Sequence, residues 1–171
     1  MLPNPRGVLP VQSADRPRLG GRRKHMSRFA FWQRWLFAIS LLIVGFGLVL
    51  AALSGTSALD PIHRLVDPVF WGSQQVPSPA AAFRGWAYAV MGATMAGWGV
   101  FLAFVARYPF RRRERWAWNC FVLGILAWYI PDTGFSLLSG VAFNAAVNTA
   151  LLALVALPLI LTRRDFPAET G

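Results

Sequence analysis

The chain has one cysteine, two histidines and seven acidic residues, and each shortage closes off a class of chemistry. A single thiol, Cys120, can form neither an intrachain disulfide nor a thiolate metal cluster, and within an apolar run it is expected to be a small filler. His63 is the only histidine beyond the N-terminal tail, so a bis-histidine haem and a His/Cys zinc site both lack partners. No metal and no cofactor is expected, and His63 reads as a loop histidine without a catalytic role. No phosphate-cradling glycine loop, nucleophile elbow or HExxH helix occurs. Charged residues make up only 14% of the chain, low for an ordinary soluble domain.

What is abundant is apolar surface: 56% of residues are hydrophobic and the mean hydropathy is +0.45. Uncharged runs at Trp35–Leu53, Gly85–Val105 and Val141–Leu161 are long enough, at ~1.5 Å per helical residue, to approach a ~30 Å hydrocarbon core. A fourth run, "WAWNCFVLGILAWYI", is too short unless it passes Pro131 and Asp132 towards Leu138. The expected fold is therefore all-α, a four-helix transmembrane bundle over residues 31–171. Its spans fall near residues 35–54, 84–106, 115–138 and 141–162.

A net charge of +10 raises the question of nucleic acid, and the placement of the charges answers it. Fifteen of the seventeen Lys and Arg residues lie before the first span, between the second and third, or after the fourth. Only Arg64 and Arg84 fall between the first two. The positive-inside rule then puts both termini and "RYPFRRRER" in the cytoplasm of a bacterial inner-membrane protein, and basic flanks are what that topology requires. No nucleic-acid partner is expected.

Residues 1–30, rich in Pro, Gly and Arg, show no sustained apolar period and are expected to form a disordered basic cytoplasmic tail. Met26 opens "MSRFAFWQRWLF", which also reads as a natural start. The first apolar run, at 19 residues, exceeds the ~7–15 of a signal-peptide core, which argues against cleavage after "VLAALSGTSA". The outer loop twice repeats an Asp-Pro step, Asp60-Pro61 and Asp67-Pro68, each fitting a helix N-cap followed by proline. Leu59, Ile62, Val66 and Phe70 then follow at helical spacing, so short outer-loop helices capping the bundle are expected. Seven of the eight tryptophans sit near span ends or in this loop, the aromatic-belt pattern that reports depth.

The second span contains two small-xxx-small pairs, Gly92 with Ala96 and Ala93 with Gly97, suited to close packing inside the molecule. Arg84, Tyr88, Met91, Met95 and Trp98 share one face of that helix. Asp132 lies 17 residues after Arg115, ~25 Å along a helix, and so near the outer edge of the hydrocarbon. Asn144 and Asn148, one turn apart at the start of the fourth span, approach the same layer, and Ser136 and Ser139 continue the Asp132 face. A carboxylate there needs a cation or several donors, and Arg84 is the natural cation. The expected ligand-binding cluster is Arg84, Tyr88, Asp132, Asn144 and Asn148, read either as a hydrogen-bonded clamp fixing helix register or as a ligand pocket.

The segments "GATMAGWGVFLAF", "RRRERWAWN", "WYIPDTGFSLLSG" and "FNAAVNTALLALVALPL" together resemble a family of small four-span bacterial integral membrane proteins, a likeness covering nearly all of the chain after residue 35. In size and topology the chain is also similar to DoxX-like and emopamil-binding-like four-helix proteins. These likenesses imply the four-helix plan and no activity. The leading functional expectation is a non-catalytic membrane protein that binds a lipid or small lipophilic ligand at the outer leaflet, or serves as an accessory subunit. The alternatives are a membrane enzyme on an apolar substrate with Asp132 as acid or base, and a small oligomeric transporter. Membrane lipids, a second copy of the chain or a membrane partner protein are the expected partners.

Overall fold

A computed structural model describes residues 19–73 and 76–166, with side chains from Arg28 onward. The first 18 residues of the expected tail lie outside the described residues. The rest of it differs from expectation: the backbone is helical from Leu19, and Phe29 is a core residue. A sequence scan for apolar period passes over one anchoring phenylalanine in a run of arginines.

The described residues form five helices: α1 (Leu19–Leu53), α2 (Asp60–Trp71), α3 (Ser78–Arg107), α4 (Arg115–Leu138) and α5 (Ala142–Thr162). Single 3-10 turns precede α2 and follow α5. Four segments are long and apolar enough to cross a membrane: Arg28–Leu53, Ser78–Arg107, Arg115–Leu138 and Ala142–Asp165. The fold is an all-α bundle, and α4 does continue through Pro131 and Asp132 to Leu138. α3 starts at Ser78, with Pro79 in its first turn, so Arg84 sits in its second turn and not at its start.

The close contact between α1 and α3 depends on missing side chains. A Cβ added at Gly92 would stand 2.5 Å from Gly47 O and 2.6 Å from Ala51 N, and one at Gly47 would stand 2.6 Å from Gly92 O and from Ala96 N. Only a hydrogen fits at either position, so the backbones meet directly. Gly92 and Ala96 are thus used within the molecule, whereas Ala93 and Gly97 face outward, with nothing near Gly97.

At the end rich in arginine, hereafter the basic end, a core of Phe29, Leu36, Phe110, Phe121, Leu159 and Phe166 joins α1, α4 and α5. Phe29 stacks on Phe110 at 5.9 Å, and Phe166 meets Phe110 edge-on at 4.9 Å. Helix-to-backbone hydrogen bonds add to this join. Gln33 Nε2 donates to Ala106 O at 2.9 Å, Trp35 Nε1 to Leu154 O and Trp118 Nε1 to Leu159 O, both at 3.0 Å. Leu154 O is the carbonyl that Pro158, lacking an N–H, cannot serve four residues on. Trp35 and Trp118 therefore tie helices together through their indole N–H groups. Cys120 is exposed on α4 and fills no core position.

At the opposite end, α4 and α5 are joined by a tight turn. Gly140 takes a left-handed φ of 77°, and Val141 N–H bonds Ser136 O at 2.8 Å, closing α4 in the Schellman manner. α2 reaches this turn, since Val69 would lie 3.5 Å from a Cβ at Gly140. The expected cap is present, but as one α-helix. Asp67-Pro68 starts no second helix; Pro68 lies inside α2, which ends at Gly72 with φ 65°.

Candidate functional site

At this end two pairs of helices, α4 with α5 and α2 with α3, carry polar side chains spaced four residues apart that meet across the pair. Across the antiparallel α4–α5 turn, i and i+4 on one helix lie opposite i and i+4 on the next, so the hairpin brings four polar positions into one layer.

The α4–α5 hairpin holds Asp132 and Ser136 against Asn148 and Asn144. Asp132 Oδ1 accepts from Asn144 Nδ2 at 2.8 Å and from Asn148 Nδ2 at 2.9 Å, with Ser136 Oγ 3.4 Å away. Asn144 Nδ2 also reaches Ser136 Oγ at 2.8 Å, and Asn148 Nδ2 reaches Thr133 Oγ1 at 3.3 Å. Ser136 Oγ donates to Asp132 O at 2.7 Å, a bond within the helix that fixes the serine rotamer. Asn148 and Thr133 are buried, while Asp132 and Asn144 are partly so. The carboxylate is held by neutral donors, the "several donors" solution instead of the cation.

The cation is used elsewhere. Arg84 Nη1 pairs with Asp67 Oδ2 on α2, and the ring of Tyr88 stacks on His63 at 5.8 Å with the planes 20° apart. His63 and Asp67, four apart on α2, thus face Tyr88 and Arg84, four apart on α3. His63 Nδ1 lies 3.5 Å from Asp60 Oδ1. The expected five-residue cluster is in this way divided: Asp132, Asn144 and Asn148 come together, and Arg84 and Tyr88 join a second group with Asp67 and His63.

Asp67 and His63 are the residues sequence reasoning missed. The signal was present, because the inward face running from Leu59 into α2 reads Leu59, Ile62, His63, Val66, Asp67, an amphipathic stripe with two polar members. Reading Asp67-Pro68 as a cap hid it. Asp67 is only 2% exposed and His63 8%. Among the described residues, His63 Nε2 and Asp67 Oδ1 are buried and meet no hydrogen-bond partner. Buried polar atoms in folded proteins are nearly always paired, so two orphans in one layer mark a place built to meet something polar.

Tyr88, stacked on His63, stands one helical turn beyond Arg84, which places a phenol beside the ion pair. Exposed apolar side chains lie on the same two helices: Leu65, Phe70 and Trp71 on α2, and Phe83 and Trp86 on α3. Among the described residues, no three His, Cys, Asp or Glu side chains are placed to hold a metal ion. Comparison with protein-family models, curated proteins and solved structures finds no match to this chain.

Proposed function

We propose that the protein is a non-catalytic, multi-pass inner-membrane protein that binds a lipid or small lipophilic ligand at the outer leaflet, beneath α2. The charge bias supports the orientation: the basic end lies in the cytoplasm and the two polar groups lie near the outer boundary. One observation carries the ligand reading, the pair of buried, unpartnered atoms His63 Nε2 and Asp67 Oδ1 beside the Arg84 guanidinium. A carboxylate oxygen only accepts, so the matching ligand group is a hydroxyl or amine able to donate to Asp67 and reach His63. The exposed Phe70, on the His63 face of α2, and Phe83, next to Arg84 on α3, suit its apolar part.

Acid–base catalysis at Asp132 has less support, because two amide donors already converge on its Oδ1. Native mass spectrometry of the gently solubilised protein tests the proposal. A small-molecule adduct should be retained by the parent protein and lost in His63→Phe, which keeps a ring against Tyr88 and removes the nitrogen. An adduct equally retained by His63→Phe, or a co-purifying polypeptide with no adduct, would count against it.

A further inference from the structure

Four arginines converge at the basic end. Arg34 of α1, Arg107 in the last turn of α3, and Arg111 and Arg113 of the α3–α4 turn line a cleft of about 460 Å³ whose floor includes Phe29 and Gln33. That volume is within the ~300–1,000 Å³ of small-molecule sites. Among the described residues, no acidic side chain lines it. Among the described residues, none of the four arginines has a carboxylate within ion-pair distance; Glu114 is turned to Arg112 at 3.9 Å and to Trp116 Nε1 at 2.7 Å.

Membrane topology alone needs positive charge on one side; it does not need four guanidiniums around one concavity, where they repel. Two of them are held there. Arg113 stands 4.6 Å over the ring of Phe29, a buried residue, and Arg107 stands 6.0 Å over Phe37. Arg113 also has a φ of 62°, the only positive φ at a non-glycine among the described residues. That conformation is uncommon outside glycine, Asn and Asp, and it turns the Arg113 side chain back towards α1.

We propose that this cleft is an anion site for a phosphate group, the ligand whose several oxygens match planar guanidinium forks. The phosphate has two chemical sources, the headgroup of an anionic lipid and a soluble phosphate. Basic pockets between helices at a membrane surface are suited to the first.

The test uses the full-length protein in neutral detergent, titrated with phosphatidylglycerol, phosphatidylcholine or inorganic phosphate and read by native mass spectrometry. Phosphatidylglycerol should bind at least tenfold more tightly than phosphatidylcholine if a lipid is the source. Inorganic phosphate should itself bind, and displace any bound lipid, if the source is soluble. In either case R111Q/R113Q should weaken binding about tenfold, whereas R163Q/R164Q, removing the same charge outside the cleft, should leave it unchanged. R111Q alone, at an exposed side chain, gives a smaller loss without risk to folding. Equal losses in both double variants, or no binding of either anion, would overturn the proposal.

Discussion

Arg84 pairs with Asp67 on the helix before it, not with Asp132 on the helix after it. The pair ties α2 to α3 at the end of the bundle. Asp67 is almost wholly buried, and the Arg84 side chain is 18% exposed. Removing one member leaves the other's charge stranded, which for buried pairs costs about 3–5 kcal/mol. Arg84→Met and Asp67→Leu should each lower the thermal midpoint in detergent sharply. The double variant should be clearly more stable than the sum of the single losses predicts. Additive losses in the double-mutant cycle would show that the two residues do not act as a pair.

Asp132 is the acceptor on which the α4–α5 hairpin closes. Asp132→Asn keeps an acceptor but loses the charge that strengthens the bonds from Asn144 and Asn148, so a loss of about 1 kcal/mol is expected. Asp132→Leu leaves one N–H of each amide without its acceptor and should cost about 1–3 kcal/mol for each orphaned donor. The reference state in a membrane finds partners of its own, and measured bonds there average nearer ~0.6 kcal/mol, so the lower end of that range is the better expectation. Thermal melts should therefore rank the parent above Asp132→Asn and Asp132→Leu last. Unchanged midpoints in both variants would remove the clamp.

Glycines on the two faces of α3 should respond in opposite directions. Gly92→Ala places a Cβ 2.5 Å from Gly47 O, against backbone that cannot yield without separating α1 from α3. Overpacking of this kind typically costs about 1–3 kcal/mol. Gly97→Ala meets nothing and should gain about 0.5–1 kcal/mol from the reduced backbone freedom of the unfolded chain. A melt in which both variants lose stability would indicate that the Gly97 face is also covered by a neighbour, such as a second copy of the chain.

The helices were legible in the sequence because span length and charge placement are set by the bilayer, and α4 could be followed through Pro131 by the need for length. The Asp132, Asn144, Asn148 group was legible for a related reason: a short turn forces antiparallel register, and two residues four apart on each side must meet. Arg84 was assigned to the wrong acid because two carboxylates stood within reach of the same layer. Helical spacing alone does not say which neighbouring helix a long side chain faces. Asp67 was hidden by local chemistry, since an Asp-Pro step usually opens a helix and here lies inside one. Phe29 was hidden by composition, its one ring lost among arginines. In each miss, a local rule was overridden by a tertiary contact.

Trp35 and Pro158 make the last prediction. In a helix, the carbonyl of Leu154 would receive the N–H of residue 158, but that residue is proline and has none. Trp35 Nε1 supplies the donor from α1 at 3.0 Å. Trp35→Phe keeps most of the ring and removes the N–H, leaving the carbonyl without a partner in an apolar setting, at a cost of about 1–3 kcal/mol. Pro158→Ala would restore a helical donor at 158 while opening a small gap where the fully buried proline ring packs. If the indole serves the proline's carbonyl, Trp35→Phe should cost distinctly less in the Pro158→Ala background than in the parent. The quantity to read is the coupling in a cycle of the four proteins, measured from unfolding midpoints in one detergent. A positive coupling of about 1 kcal/mol is expected, comparable to a net hydrogen bond. Zero coupling would mean that Trp35 contributes by packing and belt position alone.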